Sequence, residues 1–143
     1  ETAGLLFRAG FKEARLGFES VSKEFQNEQG VKYSETGLLR AVKALKAAGF
    51  KGDKIMLYIL AGLPEQEARE TEESVRFALS LGVKPVIAEF SPVPGSSLWD
   101  KAVENSCLPL KEEPLFHNNS LFAMEWEGFT KADMERLKRL SRG

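Results

Sequence analysis

The segment from Ile55 to Ala61 is the feature that most constrains the fold. Its sequence, IMLYILA, is apolar at both alternating sets of positions and is bounded by turn-forming residues. A strand with one solvated face alternates apolar and polar residues, whereas a parallel strand covered on both faces is apolar throughout. The segment therefore predicts a parallel strand buried on both sides, which requires other strands and helices around it.

Strand and helix patterns alternate on both sides of this segment. Strands are predicted at Ala14–Ser20 and Pro85–Ser91, and helices from Ser34 to Gly49 and from Glu67 to Leu81. A short charged stretch at 21–29 is a further helix candidate. Strands that alternate with helices of this length pair in parallel through right-handed crossovers. The sequence thus predicts an α/β fold of three parallel strands with flanking helices.

The two ends of the chain differ from this central pattern. Leu5, Leu6 and Ala9 repeat at helical spacing with Gly10 as the C-terminal cap, and no initiator methionine precedes them, which predicts a fragment of a longer protein. A helix is predicted from Ser97 to about Glu104. The stretch from Leu108 to Gly128 is irregular, and Thr130 with Asp133 predicts a capping box before a last helix. We therefore divide the chain into residues 1–107 and a loop-rich extension, 108–143.

Composition and charge exclude several functional classes. The 143 residues are 43% hydrophobic and 29% charged, with a net charge of -1, so no strong field for nucleic acid or an anionic membrane is expected. No run is long and apolar enough for a membrane span. Cys107 is the single cysteine, which excludes an internal disulfide or a multi-cysteine metal site within this chain. We expect a cytoplasmic protein.

Some individual side chains carry specific expectations. On the helix after Ile55–Ala61, Val75, Ala78 and Leu79 are predicted to face inward. Cys107 is expected to be buried as a small hydrophobic residue. His117 is expected to be a surface or hydrogen-bonding residue rather than a catalytic one.

Ligands of parallel α/β folds bind at the carboxyl ends of the strands. Those ends are Glu19-Ser20, Gly62-Leu63-Pro64 and the segment Ser91–Gly95, SPVPG. The carboxylate of an acidic residue can accept hydrogen bonds from an amine or a ribose hydroxyl. Glycine permits close approach of a flat ring or a backbone. A proline-rich segment after a strand leaves backbone carbonyls without competing amide donors nearby. These features favour a nucleoside-like ligand over a bare phosphate. Helix capping by Glu19 and simple turns at the other two ends are equally compatible with the sequence.

Three segments resemble the radical S-adenosylmethionine (radical SAM) enzymes. The middle of their barrels resembles Arg15–Ser20, RLGFES, with the following Gly30–Ser34. Their GLPG strand end is similar to Tyr58–Pro64, YILAGLP. The exit of their last strand resembles Phe90–Trp99, FSPVPGSSLW. The similarity extends over roughly residues 5–106. It is closest to enzymes that often carry an N-terminal cobalamin-binding domain, which makes cobalamin a candidate cofactor of the parent protein.

The resemblance implies a fold and a set of cofactor contacts. The fold would be a partial TIM-type barrel, in which residues 1–107 form half of a (β/α)6 radical SAM barrel. In the family, strand ends contact S-adenosylmethionine through its ribose or amino acid portion, its carboxylate and its adenine. The matching positions in this chain are Glu19, Ser20, Lys32, Ala61, Gly62, Leu63, Pro64, Ser91 and Pro92.

Two departures from the family pattern matter. Glu65 stands where the family usually has glycine, so we expect ordinary dihedral angles or a reshaped turn there. The three-cysteine loop that ligates the family's 4Fe-4S cluster is absent from these residues, and the resemblance implies that it lies upstream of Glu1. We therefore expect no catalytic or metal-ligating residue in this fragment, and no activity from it alone.

Three functional hypotheses follow from the sequence. The first is a fragment of an enzyme that cleaves S-adenosylmethionine reductively to a deoxyadenosyl radical, with the N-terminal half of the same protein as partner and an unidentified small-molecule substrate. The second is a stand-alone half-barrel module that binds a nucleoside or a partner without catalysis. The third is a TIM-type fragment with acid–base chemistry at Glu19 or Glu89. An exposed sheet edge could also drive a non-native dimer of the fragment.

Overall fold

The central element is a three-stranded parallel sheet with strand order β1-β2-β3. A computed structural model describes residues 1–19 and 35–143. The three strands, in chain order, are β1 (Ala14–Glu19), β2 (Ile55–Ala61) and β3 (Lys84–Glu89). The sequence predicted β2 at its observed bounds and β1 as far as Glu19, whereas β3 begins and ends earlier than predicted.

Five helices of the described residues flank this sheet. The helices, in chain order, are α1 (Thr2–Arg8), α2 (Glu35–Ala48), α3 (Ala68–Ser80), α4 (Trp99–Asn105) and α5 (Lys131–Leu140). Short 3-10 turns at Gly52–Lys54 and Pro114–His117 complete the regular structure. The predicted α/β architecture of three parallel strands with flanking helices is thus observed, while the helix candidate at 21–29 lies outside the described residues.

The main core lies between the sheet and its helices. Ile55, Leu57 and Ile59 of β2 are fully buried and alternate with half-buried residues. Val42 and Leu45 of α2 pack into the same cluster. Side chains of a strand alternate between its two faces, so β2 has a buried face and, among the described residues, an uncovered one. The predicted burial of β2 on both sides is therefore not seen within this part of the chain.

A local signal explains the start of α5. Thr130 Oγ1 accepts a hydrogen bond from the backbone N–H of Asp133 at 3.2 Å, and Asp133 Oδ2 accepts one from the N–H of Thr130 at 3.1 Å. This reciprocal pair is the predicted capping box of α5. Helix α4 begins at Trp99, with Leu98 in the N-cap position, slightly later than predicted.

Two predictions about single side chains are wrong. Leu79 is 38% exposed, because the inward face of α3 is formed instead by Thr71, Ser74, Val75 and Ala78. Cys107 is exposed rather than buried, since it follows α4 at the surface. Its thiol lies 3.5 Å from the carbonyl oxygen of Ala123.

A second cluster joins the C-terminal extension to the sheet. Ala61 at the end of β2 and Ala68 at the start of α3 pack with Phe122, Phe129 and Met134. Phe129 is completely buried. The extension therefore packs against the carboxyl edge of the sheet and the flank of α3. Among the described residues, no helix has both the length and the apolar character needed to cross a bilayer.

Candidate functional site

The carboxyl ends of the three strands lie along one edge of the sheet. Glu19, the last residue of β1, is paired with Ile59, and Ala61 is paired with Glu89. The N–H of Phe90 donates to the carbonyl of Ala61 at 2.8 Å, which continues the pairing of β2 and β3 beyond their last residues. The exits from β2 and β3 are thus neighbours, and β1 ends on the same side. Ser20 and Lys32 lie outside the described residues.

The exit from β2 is packed against the chain itself. Gly62 has a φ of +79°, and a Cβ built there would lie 2.8 Å from the Phe122 ring. The next two residues, Leu63 and Pro64, are buried. The space that glycine leaves free, which the sequence assigned to a ligand, is therefore filled by an aromatic side chain of the extension.

Gln66 holds this exit in place and was not singled out from the sequence. Its Oε1 accepts hydrogen bonds from the backbone N–H groups of Gly62, at 2.8 Å, and Leu63, at 3.2 Å. The side chain is 6% exposed. A buried amide needs hydrogen-bond partners, so Gln66 both satisfies itself and occupies the two donors of the exit. The only sequence feature that could have indicated this role is the position of a polar residue between the apolar Leu63-Pro64 pair and a helix.

The C-terminal extension is tied to the same turn by backbone-directed hydrogen bonds. The indole N–H of Trp126 donates to the carbonyl of Gln66 at 2.9 Å. The N–H of Ala68 donates to the carbonyl of Gly128 at 3.0 Å. The start of α3 is therefore fixed from two sides, by β2 and by the extension.

The exit from β3 is also closed by the extension. Pro92 is almost completely buried, and the hydroxyl of Ser91 donates to the carbonyl of His117. The Nε2 of His117 lies 2.8 Å from the carbonyl of Leu110, and its ring packs edge-on against Trp99. His117 is therefore a hydrogen-bonding residue, as expected. The Ser91 hydroxyl is already engaged and is not directed at open space.

Two cavities among the described residues are defined, and neither combines the three strand ends. A cavity of about 50 Å³ lies between Pro64, Glu65 and Trp126, which has room for water but not for a nucleoside. A larger one of about 430 Å³ involves Lys84 and Pro85. It lies at the amino ends of the strands, opposite the edge where ligands of parallel α/β folds bind.

The uncovered face of the sheet carries an ordered set of side chains. The register places Arg15, Met56 and Lys84 in one row across the three strands. The next row contains Gly17, Tyr58 and Val86, followed by Leu60 beside Ala88. All of the aliphatic and aromatic members are half-buried rather than fully buried. We call these eight residues the open face.

Ion pairs fix α5 on the covered side of the sheet. The Nζ of Lys138 lies 2.8 Å from a carboxylate oxygen of Glu89, and this hydrogen bond is the main cause of the raised pKa of Lys138. Arg136 forms a hydrogen bond with Glu72 of α3, which lowers the pKa of that carboxyl group. Glu89 is thus engaged in helix packing, which leaves it poorly placed as a general base.

The side chains of residues 1–19 and 35–143 do not form a cluster or metal site. Cys107 is the single thiol of the chain, and no group of three or more His, Cys, Asp or Glu in the described ranges could hold a metal ion. A 4Fe-4S cluster needs several thiolates, so these residues cannot supply its ligand set.

Comparison with known proteins does not assign the chain to a family. No protein-family model matches it, and no curated protein is similar to it in sequence.

Proposed function

We propose that the chain is the C-terminal part of a radical SAM barrel, which contributes three strand ends to an S-adenosylmethionine site. The observation that carries the proposal is the shared carboxyl edge of β1, β2 and β3, where Glu19, Gly62-Leu63-Pro64 and Ser91-Pro92 end neighbouring strands. Within the proposal, the open sheet is half of a (β/α)6 barrel that further strands close.

The expected reaction needs groups outside these residues. As in the resembling enzymes, a 4Fe-4S cluster held by residues upstream of this chain would supply the electron for reductive cleavage of S-adenosylmethionine to methionine and a deoxyadenosyl radical. The contribution of this chain would be to bind and orient the nucleoside. Gln66 would hold the Gly62–Leu63 backbone of this strand end in place, because its Oε1 accepts from both N–H groups.

The alternative is a self-contained half-barrel module that binds a nucleoside or a partner without catalysis. It is favoured by the closure of the β2 and β3 exits by Phe122 and His117 of the same chain. A module of this kind needs no further strands to cover its carboxyl edge. Acid–base chemistry at Glu89 has less support, because Lys138 pairs with that carboxylate on the covered side.

The test of the proposal uses the longer protein that it requires, purified without oxygen. We expect an iron–sulfur chromophore and release of 5′-deoxyadenosine from S-adenosylmethionine after chemical reduction. Changing Glu19 to Ala should weaken S-adenosylmethionine binding, whereas Glu13→Ala, at a carboxylate preceding the same strand, should leave it unchanged.

Two outcomes would contradict the proposal. A longer protein that neither binds S-adenosylmethionine nor releases 5′-deoxyadenosine would exclude the radical SAM assignment. Binding of adenosine by the 143-residue chain alone, with no cleavage by the longer protein, would favour the stand-alone module.

A further inference from the structure

The side-chain amide of Gln66 takes the place of a strand beside β2. In a parallel sheet, one residue donates its N–H to the carbonyl of residue i on the neighbouring strand and accepts from the N–H of residue i+2. Gln66 makes the same pair of contacts with Leu60 and Gly62. Its Nε2 donates to the carbonyl of Leu60 at 3.4 Å, and its Oε1 accepts from the N–H of Gly62 at 2.8 Å. The amide therefore continues the sheet as a backbone peptide would.

This amide lies on the side of β2 that faces β1. The carbonyl of Ala61 is bonded on the other side, toward β3, and the backbone groups of successive strand residues point to opposite sides. The two β2 groups that contact Gln66 therefore face β1, whose last described pair with β2 is Glu19 with Ile59. A continuation of that pairing would need the same two groups. Gln66 thus ends the β1–β2 ladder at the carboxyl edge.

The same contacts leave the Gly62 carbonyl without a partner. The N–H of Leu63 also donates to Gln66 Oε1, at 3.2 Å, and the Gly62–Leu63 peptide bond is trans. In a trans peptide the carbonyl points opposite to the N–H, so the Gly62 carbonyl points away from Gln66. Gly62 is buried, yet no donor within residues 1–19 and 35–143 bonds to this oxygen. Buried carbonyls are nearly always paired, which indicates a partner beyond the described residues.

Gln66 is itself held at both of its backbone groups. Its N–H donates to the carbonyl of Leu63 at 3.1 Å, and its carbonyl accepts from the indole N–H of Trp126 at 2.9 Å. The residue is buried, which limits competition from water for its amide. The side chain is therefore fixed in position before any ligand binds, and it holds the exit of β2 in one conformation.

We propose that Gln66 is a positioning residue of the nucleoside site, which ends the β1–β2 ladder and presents the Gly62 carbonyl to an N–H or O–H group of the ligand. This inference rests on the proposed function and adds to it a specific acceptor and the residue that orients it. Gln66 does not touch the ligand, because its effect passes through the Gly62–Leu63 peptide. A ligand without a donor at this point leaves a buried carbonyl unpaired and binds more weakly.

Two substitutions of Gln66 test this role in the longer protein. Gln66→Met removes the acceptor and the donor from a side chain of similar length, so the Gly62–Leu63 peptide is free to rotate. Gln66→Glu keeps an acceptor oxygen for both N–H groups and loses the donor to Leu60. We expect Gln66→Met to weaken S-adenosylmethionine binding at least about tenfold, and Gln66→Glu to stay within about threefold of wild type. Equilibrium dialysis measures both affinities.

Val75→Ala is the matched control for general destabilisation. Val75 is fully buried on α3 and packs in the main core rather than at the strand ends. Its truncation should lower the urea midpoint because it leaves a cavity, while S-adenosylmethionine affinity stays within about threefold of wild type. Circular dichroism of each variant checks that the fold is retained.

Amide hydrogen exchange of the 143-residue chain gives a readout that needs no ligand. In Gln66→Met, the N–H groups of Gly62 and Leu63 should exchange at least about tenfold faster than in wild type, since both lose their acceptor. The N–H of Phe90, which donates to the carbonyl of Ala61, is the internal reference and should change less.

The inference is overturned if Gly62 and Leu63 gain no exchange relative to Phe90, or if Gln66→Met binds S-adenosylmethionine as tightly as wild type. Equal losses of affinity in Gln66→Met and Val75→Ala would also overturn it, because binding would then follow stability alone. In each of these cases the wild-type longer protein still binds and cleaves S-adenosylmethionine, so the proposed function stands. A wild-type protein that binds none excludes both.

Discussion

At the scale of single residues, Gly62 shows how one position can suit two different roles. Glycine at the end of a parallel strand allows a ligand to approach the backbone. The same lack of a side chain allows the Phe122 ring to pack there, as the structure shows. Sequence cannot distinguish these two uses, because both need only the absence of a Cβ and a positive φ.

Replacing Gly62 with Ala tests this packing. Gly95 provides a matched control, since its φ is also +79° but nothing lies within 4 Å of its Cβ position. Gly95→Ala should cost about 1 kcal/mol for the left-handed backbone alone. Gly62→Ala should cost about 2 kcal/mol more, because the methyl group also overpacks against Phe122. Urea denaturation of both variants measures the difference, and equal losses would show that the ring moves away freely.

Glu65 has a left-handed conformation, with a φ of +62°. The sequence led us to expect either ordinary dihedral angles or a reshaped turn where the radical SAM enzymes that it resembles usually have glycine, and the backbone instead has a glycine-like angle. A side chain in this region costs roughly 1–2 kcal/mol. An ion pair with Lys101 at 2.7 Å offsets little of this, because both side chains are largely exposed.

Glu65→Gly should therefore raise the free energy of unfolding by about 1 kcal/mol. Urea denaturation measures the gain, with the dependence of the unfolding free energy on urea concentration expected to be the same as in the wild-type chain. Lys101→Ala, which removes the ion pair without changing the backbone, should alter stability by no more than about 0.5 kcal/mol. A loss of stability in Glu65→Gly would mean that the ion pair outweighs the backbone strain.

At the scale of elements, hydrophobic periodicity, turn residues and helix caps predicted the strands and helices well. The apolar run of β2 and the capping box of α5 are local features, so their bounds follow from nearby residues. Leu79 was misassigned because periodicity shows that a helix is amphipathic but not which neighbours it meets. Helix α3 packs against both β2 and α5, and its buried face includes the small polar residues Thr71 and Ser74.

The contact between α3 and α5 should make stability depend on pH. Hydrogen bonding from Arg136 lowers the pKa of Glu72 below its ordinary value of 4.5, and hydrogen bonding from Thr130 lowers that of Asp133 below 3.8. The unfolded chain therefore takes up protons first as the pH falls, so this contribution is complete above pH 4.5 and is lost as the pH drops through the folded pKa values.

Arg136→Met should destabilise the protein at neutral pH by up to about 1 kcal/mol, the upper range for exposed ion pairs. Its deficit relative to wild type should shrink below pH 4.5, where Glu72 becomes protonated in the unfolded chain. Thermal unfolding from pH 7 to pH 3 measures the trend. Arg69→Met, at a more exposed pair with Glu73, serves as the control. A deficit that stays constant with pH would exclude this origin.

At the scale of the whole molecule, the C-terminal extension packs against the edge of the sheet where the three strands end. Phe122 packs on Gly62, and Trp126 donates to the carbonyl of Gln66. We therefore predict that the extension and the sheet unfold together. Trp99→Phe leaves Trp126 as the sole indole, so its fluorescence reports on the extension while circular dichroism reports on the whole chain.

The two signals should give coincident urea transitions with the same midpoint. The wild-type chain, followed by circular dichroism, controls for any loss of stability caused by Trp99→Phe. A fluorescence transition at clearly lower urea would show that residues 108–143 form a separately unfolding unit.

The sequence by itself determined the alternation of strands and helices, their parallel pairing and the edge at which the three strands end. These properties follow from periodicity, turn residues and capping, all of which act over a few neighbouring positions. Only the tertiary structure decided that Phe122 fills the space at Gly62, that Gln66 occupies the donors of the exit, and that Arg15 and Lys84 lie level on the open face. Gly62 and Phe122, like Arg15 and Lys84, are far apart in the chain, whereas Gln66 lies only four residues from Gly62. All three arrangements depend on register and packing that no local pattern encodes.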